Sequence, residues 1–496
     1  MNVTVGGPGY GPPAHWGCGP ETPRPVATSG RGVNRRPDRP RPHGIDLIAM
    51  KQIDRHENSP VIRSAHEVRR GPQAFHREVV YPKIRDPIMT ARDAMLSRLR
   101  ARNLKTALER EFYCSREDYQ VDLDMIWYRD WLFAGHDCEI SNPGDHLTVQ
   151  IGEYPVVVVR DRDGAVRAFH NTCRHRGSRI CSASHGNSAR LVCPYHQWTY
   201  ALDGRLLAAR DMGGEVDKSQ HFLKPVHCTS AGGYIWICLA PVAPDFEPVR
   251  RHLEPYFLPH KLHQTKVAFV STIIEQANWK LVWENNRECY HCAANHPELL
   301  RTFPEEPTAT DGKAAACNPR TAARWSYWES IGLPSRFHLS SNGQYRTVRT
   351  PLLEGAVSFT MSGRAAVRRS LSDGITEPDI GTLLLFHFPS TWNHVLADHA
   401  ISFRVLPISP TQTELTTKWL VHRDAVEGVD YDVNELTKVW IATNAADTRN
   451  CQENQIGVNS PAYDPAPYSP VHEAGVTQFV NWYCTHLDDR LLGDVK

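Results

Sequence analysis

From Met95 onward the apolar residues Met95, Leu96, Leu99, Leu104 and Leu108 recur at near-helical spacing, which predicts an amphipathic helix over about 91–109. Tyr113 and an acidic stretch lead from there into Met-Ile-Trp-Tyr-Arg-Asp-Trp-Leu at 125–132, so 89–135 reads as a helical arm packed on the domain C-terminal to it. At His146 the period changes. His-Leu-Thr-Val-Gln-Ile at 146–151, Pro-Val-Val-Val-Val-Arg at 155–160 and Ala165 to His170 have strand patterns, and Asp163-Gly164 supplies a hairpin turn. A second such turn at Asp203-Gly204 and an apolar run at 233–239 complete a small antiparallel β domain, 136–245. Beyond a Pro-rich connector, 246–496 predicts a larger domain. It has strands at 382–388, 400–407 and 413–421 and a long helix from about Asp432 to Gly457, making the chain α+β, with a central antiparallel sheet and flanking helices in its second domain.

Composition changes this picture at one end. The first fifty residues are about one-third Pro plus Gly, with Arg-Arg-Pro-Asp-Arg-Pro-Arg-Pro at 35–42, and cannot bury enough apolar surface to fold. We read 1–88 as a disordered extension or as an upstream start, with Met50 and Met89 as later candidates. Basic and acidic residues nearly balance, 56 against 55, so no global field favours nucleic acid or an anionic membrane. No apolar run long enough to span a bilayer and no secretory leader pattern is present, which points to a cytoplasmic protein. Thirteen cysteines fit free thiols and metal ligands better than a disulfide framework.

The chemistry enters with two mixed pairs, Cys173 with His175 and Cys193 with His196, separated by seventeen residues. Zinc fingers put both cysteines in one element and both histidines in another, whereas each half here mixes the two. Mixed pairs on two loops are the ligand set of a Rieske 2Fe-2S cluster, with thiolates on one iron and imidazoles on the other. Gly177 and Trp198 are candidate supports for the two loops. Downstream, His291 and His296 lie five apart, about 500° of helix, so they converge only if a helix ends between them, as Pro297 suggests. With a one-electron carrier upstream, they suggest a mononuclear Fe(II) held by two histidines and one carboxylate. The spacing does not choose that carboxylate among Asp447, Glu453, Asp430 and Asp432.

From about residue 90 onward the sequence resembles the oxygenase components of Rieske non-haem iron oxygenases, within their quaternary-ammonium branch. The stretches that carry the likeness include Phe-His-Asn-Thr-Cys-Arg-His-Arg-Gly at 169–177, Glu-Asn-Asn-Arg-Glu-Cys-Tyr-His-Cys at 284–292, Thr-Trp-Asn-His at 391–394 and Ala-Thr-Asn-Ala-Ala-Asp at 442–447. That resemblance implies Asp447 as the third iron ligand and a helix-grip catalytic domain. It also implies Glu288 as a bridge from the iron site to the Rieske histidine of a neighbouring subunit in a head-to-tail homotrimer. The implied reaction is O2-dependent N-demethylation of glycine betaine to dimethylglycine and formaldehyde, with electrons from NADH through a separate flavin/ferredoxin reductase. Proline betaine, carnitine and choline are the alternative substrates. An aromatic-ring hydroxylase, a Rieske electron carrier and a ligand-binding module are the alternative functions. A quaternary ammonium offers no donor on nitrogen and is best recognised by aromatic faces. Trp392, Phe388 and Phe359, placed in the predicted catalytic sheet, are the candidates.

Overall fold

A computed structural model describes residues 87–305, 310–372 and 374–493. The expectation for 1–88 therefore falls almost wholly outside the described residues.

The first helix runs Pro87–Ala101 and stops there, short of the predicted 109. Asn103 accounts for the difference: its side chain accepts the Lys105 N–H at 3.1 Å in a local turn that competes with helix. Met95, Leu99 and Leu108 are buried all the same, while Leu104 points to solvent. A second helical segment comes at Arg110–Cys114 and a third at Arg116–Asp122, where the Ser115 hydroxyl accepts from the Asp118 N–H.

Two seven-stranded antiparallel sheets frame the remaining chain. The first has the spatial order Leu132–His136, Tyr234–Cys238, Pro225–Ala231, Val166–His170, Tyr154–Arg160, Asp145–Ile151, His185–Asn187. Its edge strand begins inside the stretch read as the arm and runs one residue past its end, because Leu132 to His136 pair with Ile237 to Tyr234. A small three-stranded sheet, Leu191–Val192, Thr199–Tyr200 and Leu206–Ala208, stands beside it. The second large sheet is ordered Thr265–Glu275, Gln412–His422, Ala400–Ser409, Thr391–Val395, Thr382–His387, Tyr345–Thr350, His338–Leu339.

Thr382–His387 is buried along its whole length, and its alternation shows why. Leu383 and Leu385 face a cluster that includes Phe133, Tyr234 and Trp236 of the first sheet. Leu384 and Phe386 face the opposite way, into the core shared with the helices. Around this strand both faces of the second sheet are thus covered, one by the first sheet and one by Trp279–Asn286, Val433–Asn459 and Ala474–Gly493, while the edge strand Thr265–Glu275 stays partly exposed. The two sheets are also tied by polar contacts: Asn393 Nδ2 donates to Tyr234 Oη at 2.6 Å, and buried Lys418 pairs with Glu139.

The long helix starts where Asp432 accepts the N–H groups of Asn434 and Glu435, satisfying two orphan donors. It runs to Asn459, two residues beyond the predicted end.

Candidate metal centres and the cavity between sheet and helices

Two similar loops carry the first ligand group. In each, the N–H four residues past the cysteine donates to the cysteine carbonyl, Gly177 to Cys173 and Gln197 to Cys193, both at 3.0 Å. Closing such a turn needs a left-handed residue, and φ is 77° at Gly177 and 59° at Gln197. The repeated turn buries both thiols and leaves the two imidazoles half-buried, with ring centroids 4.7 Å apart. Trp198 lies flat on His175 at 4.9 Å, and Tyr195 on His196 at 3.7 Å. Tyr200 Oη accepts the Arg174 N–H at 3.0 Å and sits 3.3 Å from Cys173 Sγ, so a thiolate there would accept a hydrogen bond from the hydroxyl. Buried His175 Nδ1 has no hydrogen-bond partner among the described residues. Two sulfurs and two imidazoles, one of them with an orphaned buried nitrogen, fit a Rieske cluster, one iron on the thiolates and the other on the imidazoles.

The second group is assembled from two helices distant in sequence. His291 precedes the single turn Cys292–Asn295, and His296 caps its end with φ −125° and ψ 62°, out of helix geometry. This break is what lets histidines five apart converge. Asp447 arrives from the middle of Val433–Asn459. His291 Nε2 lies 3.0 Å from His296 Nε2 and 3.1 Å from Asp447 Oδ1, and His296 Nε2 lies 2.9 Å from the same oxygen. Ligands about 2.1 Å from one metal and at right angles stand about 3.0 Å apart, so this triangle fits a face-capping triad. Burial disfavours charge on His291, yet Asp447 and Glu288 outweigh it and raise the imidazole to about 10. Burial likewise raises the Asp447 carboxyl, and the two histidines hold it below its ordinary range. The carboxylates require a cation at this point, which a metal supplies in place of the proton. Cys292 Sγ is also near both histidines, but it is joined to Cys289 in a disulfide and is no thiolate ligand. That bond also departs from the free-thiol expectation at this one pair.

Glu288 Oε1 lies 2.5 Å from His291 Nδ1, and Oε2 accepts the backbone N–H of Tyr290. The other carboxylates left open by the spacing lie elsewhere. Asp432 caps the long helix, Asp430 pairs with Arg369 at 3.2 Å, and Glu453 is exposed. Sequence reasoning missed Glu298, whose Oε1 accepts the Thr443 hydroxyl at 3.0 Å and lies 3.7 Å from His296 Nδ1.

The triad opens on a cavity of about 110 Å³ that Phe303, Trp392, His394 and Trp440 also line. Of the three aromatic candidates, Trp392 is in its wall, stacked on Phe403 at 5.1 Å. Phe359 stands behind the wall, edge-on to His394 and Trp440. Phe388 lies outside the cavity, packed among Trp283, Phe479 and Trp482 in the core, because its strand has ended at His387. Trp440 was missed although Trp440, Thr443 and Asp447 fall at helical spacing on one face.

A cluster-binding loop pair, one loop from the first large sheet and one from the three-stranded sheet, and a two-histidine, one-carboxylate triad under the second large sheet define a two-centre, Rieske-type oxygenase. The sequence comparisons agree, and the chain belongs to the family of Rieske oxygenase alpha subunits. Residues 130–221 match the Rieske [2Fe-2S] domain, and residues 259–489 match the catalytic domain of the ring hydroxylating alpha subunit. The chain is 48% identical over 408 residues to the glycine betaine monooxygenase oxygenase subunit of Pseudomonas aeruginosa (strain UCBPP-PA14), covering 82% of this chain and 95% of that one. With the corresponding subunit of Chromohalobacter salexigens it shares 47% over 434 residues, covering 87% and 96%. In fold it is similar to the quaternary ammonium Rieske monooxygenase CntA solved with L-carnitine, with TM-score 0.58 and 18% identity over 77% of this chain and 97% of that one.

Proposed function

We propose that this chain is the oxygenase component of a cytoplasmic monooxygenase system that N-demethylates glycine betaine to dimethylglycine with release of formaldehyde. Electrons come from NADH through a separate flavin/ferredoxin reductase. The observation that carries this reading is the 48% identity, over 95% of their length, to subunits named for glycine betaine.

In this reading Cys173, His175, Cys193 and His196 hold the cluster, and His291, His296 and Asp447 hold the iron. Bound there, the cluster supplies electrons one at a time and the iron supplies O2 activation at the positions its three protein ligands leave open. The chain's own residues do the rest. Glu288 takes the Nδ1–H of His291, which fixes the tautomer and turns Nε2 toward the triad. Glu298 lies 3.7 Å from His296 Nδ1, within ion-pair range but too far to take its N–H as Glu288 does for His291. Trp392, Trp440 and Phe303 present aromatic faces to a cationic methylammonium, each worth about 1–2 kcal/mol where water is excluded. Oxidation of one N-methyl group gives a carbinolamine, which collapses to formaldehyde and the tertiary amine. Glu288 further bridges to the Rieske histidine of the next protomer in a head-to-tail homotrimer.

The test is aerobic turnover of the holoenzyme with a reductase and a panel of glycine betaine, proline betaine, carnitine and choline, with formaldehyde as readout. Formaldehyde from glycine betaine in preference to the others is expected. None from glycine betaine, with release from another compound, would move the substrate assignment while keeping the reaction class.

A further inference from the structure

We propose that Arg287 binds the carboxylate of the substrate, with Arg346 as the second cation of the same subsite, so that the cavity selects methylated ammonium compounds bearing an acid group. This rests on the N-demethylation reading above and names the group that anchors the substrate's anionic end.

Arg287 comes directly after the helix Trp279–Asn286, one position before Glu288, and is 3% exposed. It lines the same cavity as the iron triad. Its Nε and one Nη are buried without a hydrogen-bond partner, and among the described residues no carboxylate lies within ion-pair range of it. Of the described acids that line the cavity, Glu288 and Asp447 are paired with His291 and His296, and Glu305 forms no ion pair with Arg287. What Arg287 does contact is the face of Phe386, 4.3 Å from ring centroid to guanidinium carbon. Arg346 sits directly across the strand pair from Phe386, is equally buried, lines the same cavity, and lies 5.1 Å from the same ring.

Two buried guanidinium groups therefore flank one aromatic ring, and of the two it is Arg287 that has no counter-charge among the described residues. A buried charge left without a counter-charge is strongly disfavoured, and one cation–π contact offsets only part of that cost. Burial draws Arg287 down to about 9, which still leaves it charged at neutral pH. The missing partner is an anion, and the planar fork of a guanidinium matches the two oxygens of a carboxylate. Within the same cavity Trp392, Trp440 and Phe303 suit the opposite end of a betaine, so the walls are complementary to a small zwitterion. Choline, with a hydroxyl in place of the acid, would leave Arg287 buried and unmatched.

The experiment is calorimetric titration of the iron-loaded, cluster-containing protein with 3,3-dimethylbutanoate, an uncharged-end isostere of glycine betaine, and with 3,3-dimethylbutanol. Both are run on the parent, R287Q and R287K, alongside turnover of glycine betaine and choline. The parent should prefer the acid to the alcohol by at least about tenfold, and R287Q should lose that preference. In R287Q, KM for glycine betaine should rise about 100-fold with a smaller change in kcat, and cluster absorbance and iron content should match the parent. A purely structural role would move metal content and melting temperature but not the acid-over-alcohol ratio. Equal affinity of the parent for both compounds, or an unchanged preference in R287Q, overturns the proposal. Should R287Q fail to fold, R287K decides. A preference reduced about tenfold supports the subsite, since lysine cannot offer the paired donors, and an unchanged one overturns it. If the parent binds the acid through Arg287 but no methylated ammonium compound yields formaldehyde, the demethylation reading fails and the anion subsite stands.

Discussion

Single atoms decide each centre. In the proposed cluster site Tyr200 Oη, 3.3 Å from Cys173 Sγ, would donate to the thiolate and favour the reduced cluster. Tyr200→Phe should therefore lower the reduction potential without loss of acid-labile sulfide, measured by redox titration of the visible spectrum. At the second centre, Asp447→Ala should lose the mononuclear iron, retain the sulfide content of the parent, and bring formaldehyde release to background. Glu288→Gln keeps a hydrogen-bonding side chain beside His291 but removes its charge. We expect turnover to fall by about 10- to 100-fold with both metals retained, as metal and sulfide assays would report. The residues of these centres differ in how plainly the sequence announces them. Cys173, His175, Cys193 and His196 are legible because ligand type and order are local. Asp447 is one carboxylate among several on and near a helix, and only its likeness to a known motif, then its 2.9 Å approach to His296, singles it out.

Among the elements, Glu284 couples three segments. Its Oε1 accepts the hydroxyl of Tyr113 from the N-terminal arm at 2.7 Å, and its Oε2 faces that of Tyr468, ahead of the C-terminal helix, at 3.4 Å. Burial, opposed by these two tyrosines, raises the carboxyl to about 7. The folded state then holds a proton that the unfolded chain releases near 4.5, so the stabilisation is complete below that pH and is lost as pH rises through 7. The effect is on the order of 3 kcal/mol. Glu284→Gln should flatten the fall in stability between about pH 5 and pH 8, read from urea unfolding at both ends, with buried Glu275 leaving a residual slope of the same sign. Elements also show where periodicity fails. Leu104 fits the helical pattern of 91–109 as well as Leu99 does, but the Asn103 turn ends the helix first. The strand at Leu132–His136 reads in sequence as part of an apolar arm, and only its pairing with Tyr234–Cys238 assigns it to the first sheet.

Across the assembled molecule, the proposed trimer passes electrons between chains, from the cluster of one protomer to the iron of the next. Cys173→Ser and Asp447→Ala are then each inactive alone, one lacking the cluster and the other the iron. Co-expressed, they should form mixed trimers in which an intact cluster faces an intact iron across an interface, recovering a measurable fraction of parental formaldehyde release. Activity no greater than that of either variant alone would contradict transfer between protomers. Among the described residues no helix is long and apolar enough to cross a membrane.

Local pattern along the chain was enough for the α+β class and for picking out the two mixed cysteine/histidine pairs as candidates, because residue spacing and the change of period from helix to strand need no distant partner. Tertiary contact was required wherever segments far apart in the chain meet: Asp447 beside His291 and His296, 156 and 151 residues away, Trp392 in the cavity wall and Phe388 in the core, and two arginines against Phe386. Strand alternation tells which residues share a face of a sheet, but not which face meets the first sheet and which the helices, since Thr382–His387 is buried on both. That choice is made by packing, and it is packing that gives the iron site its pocket.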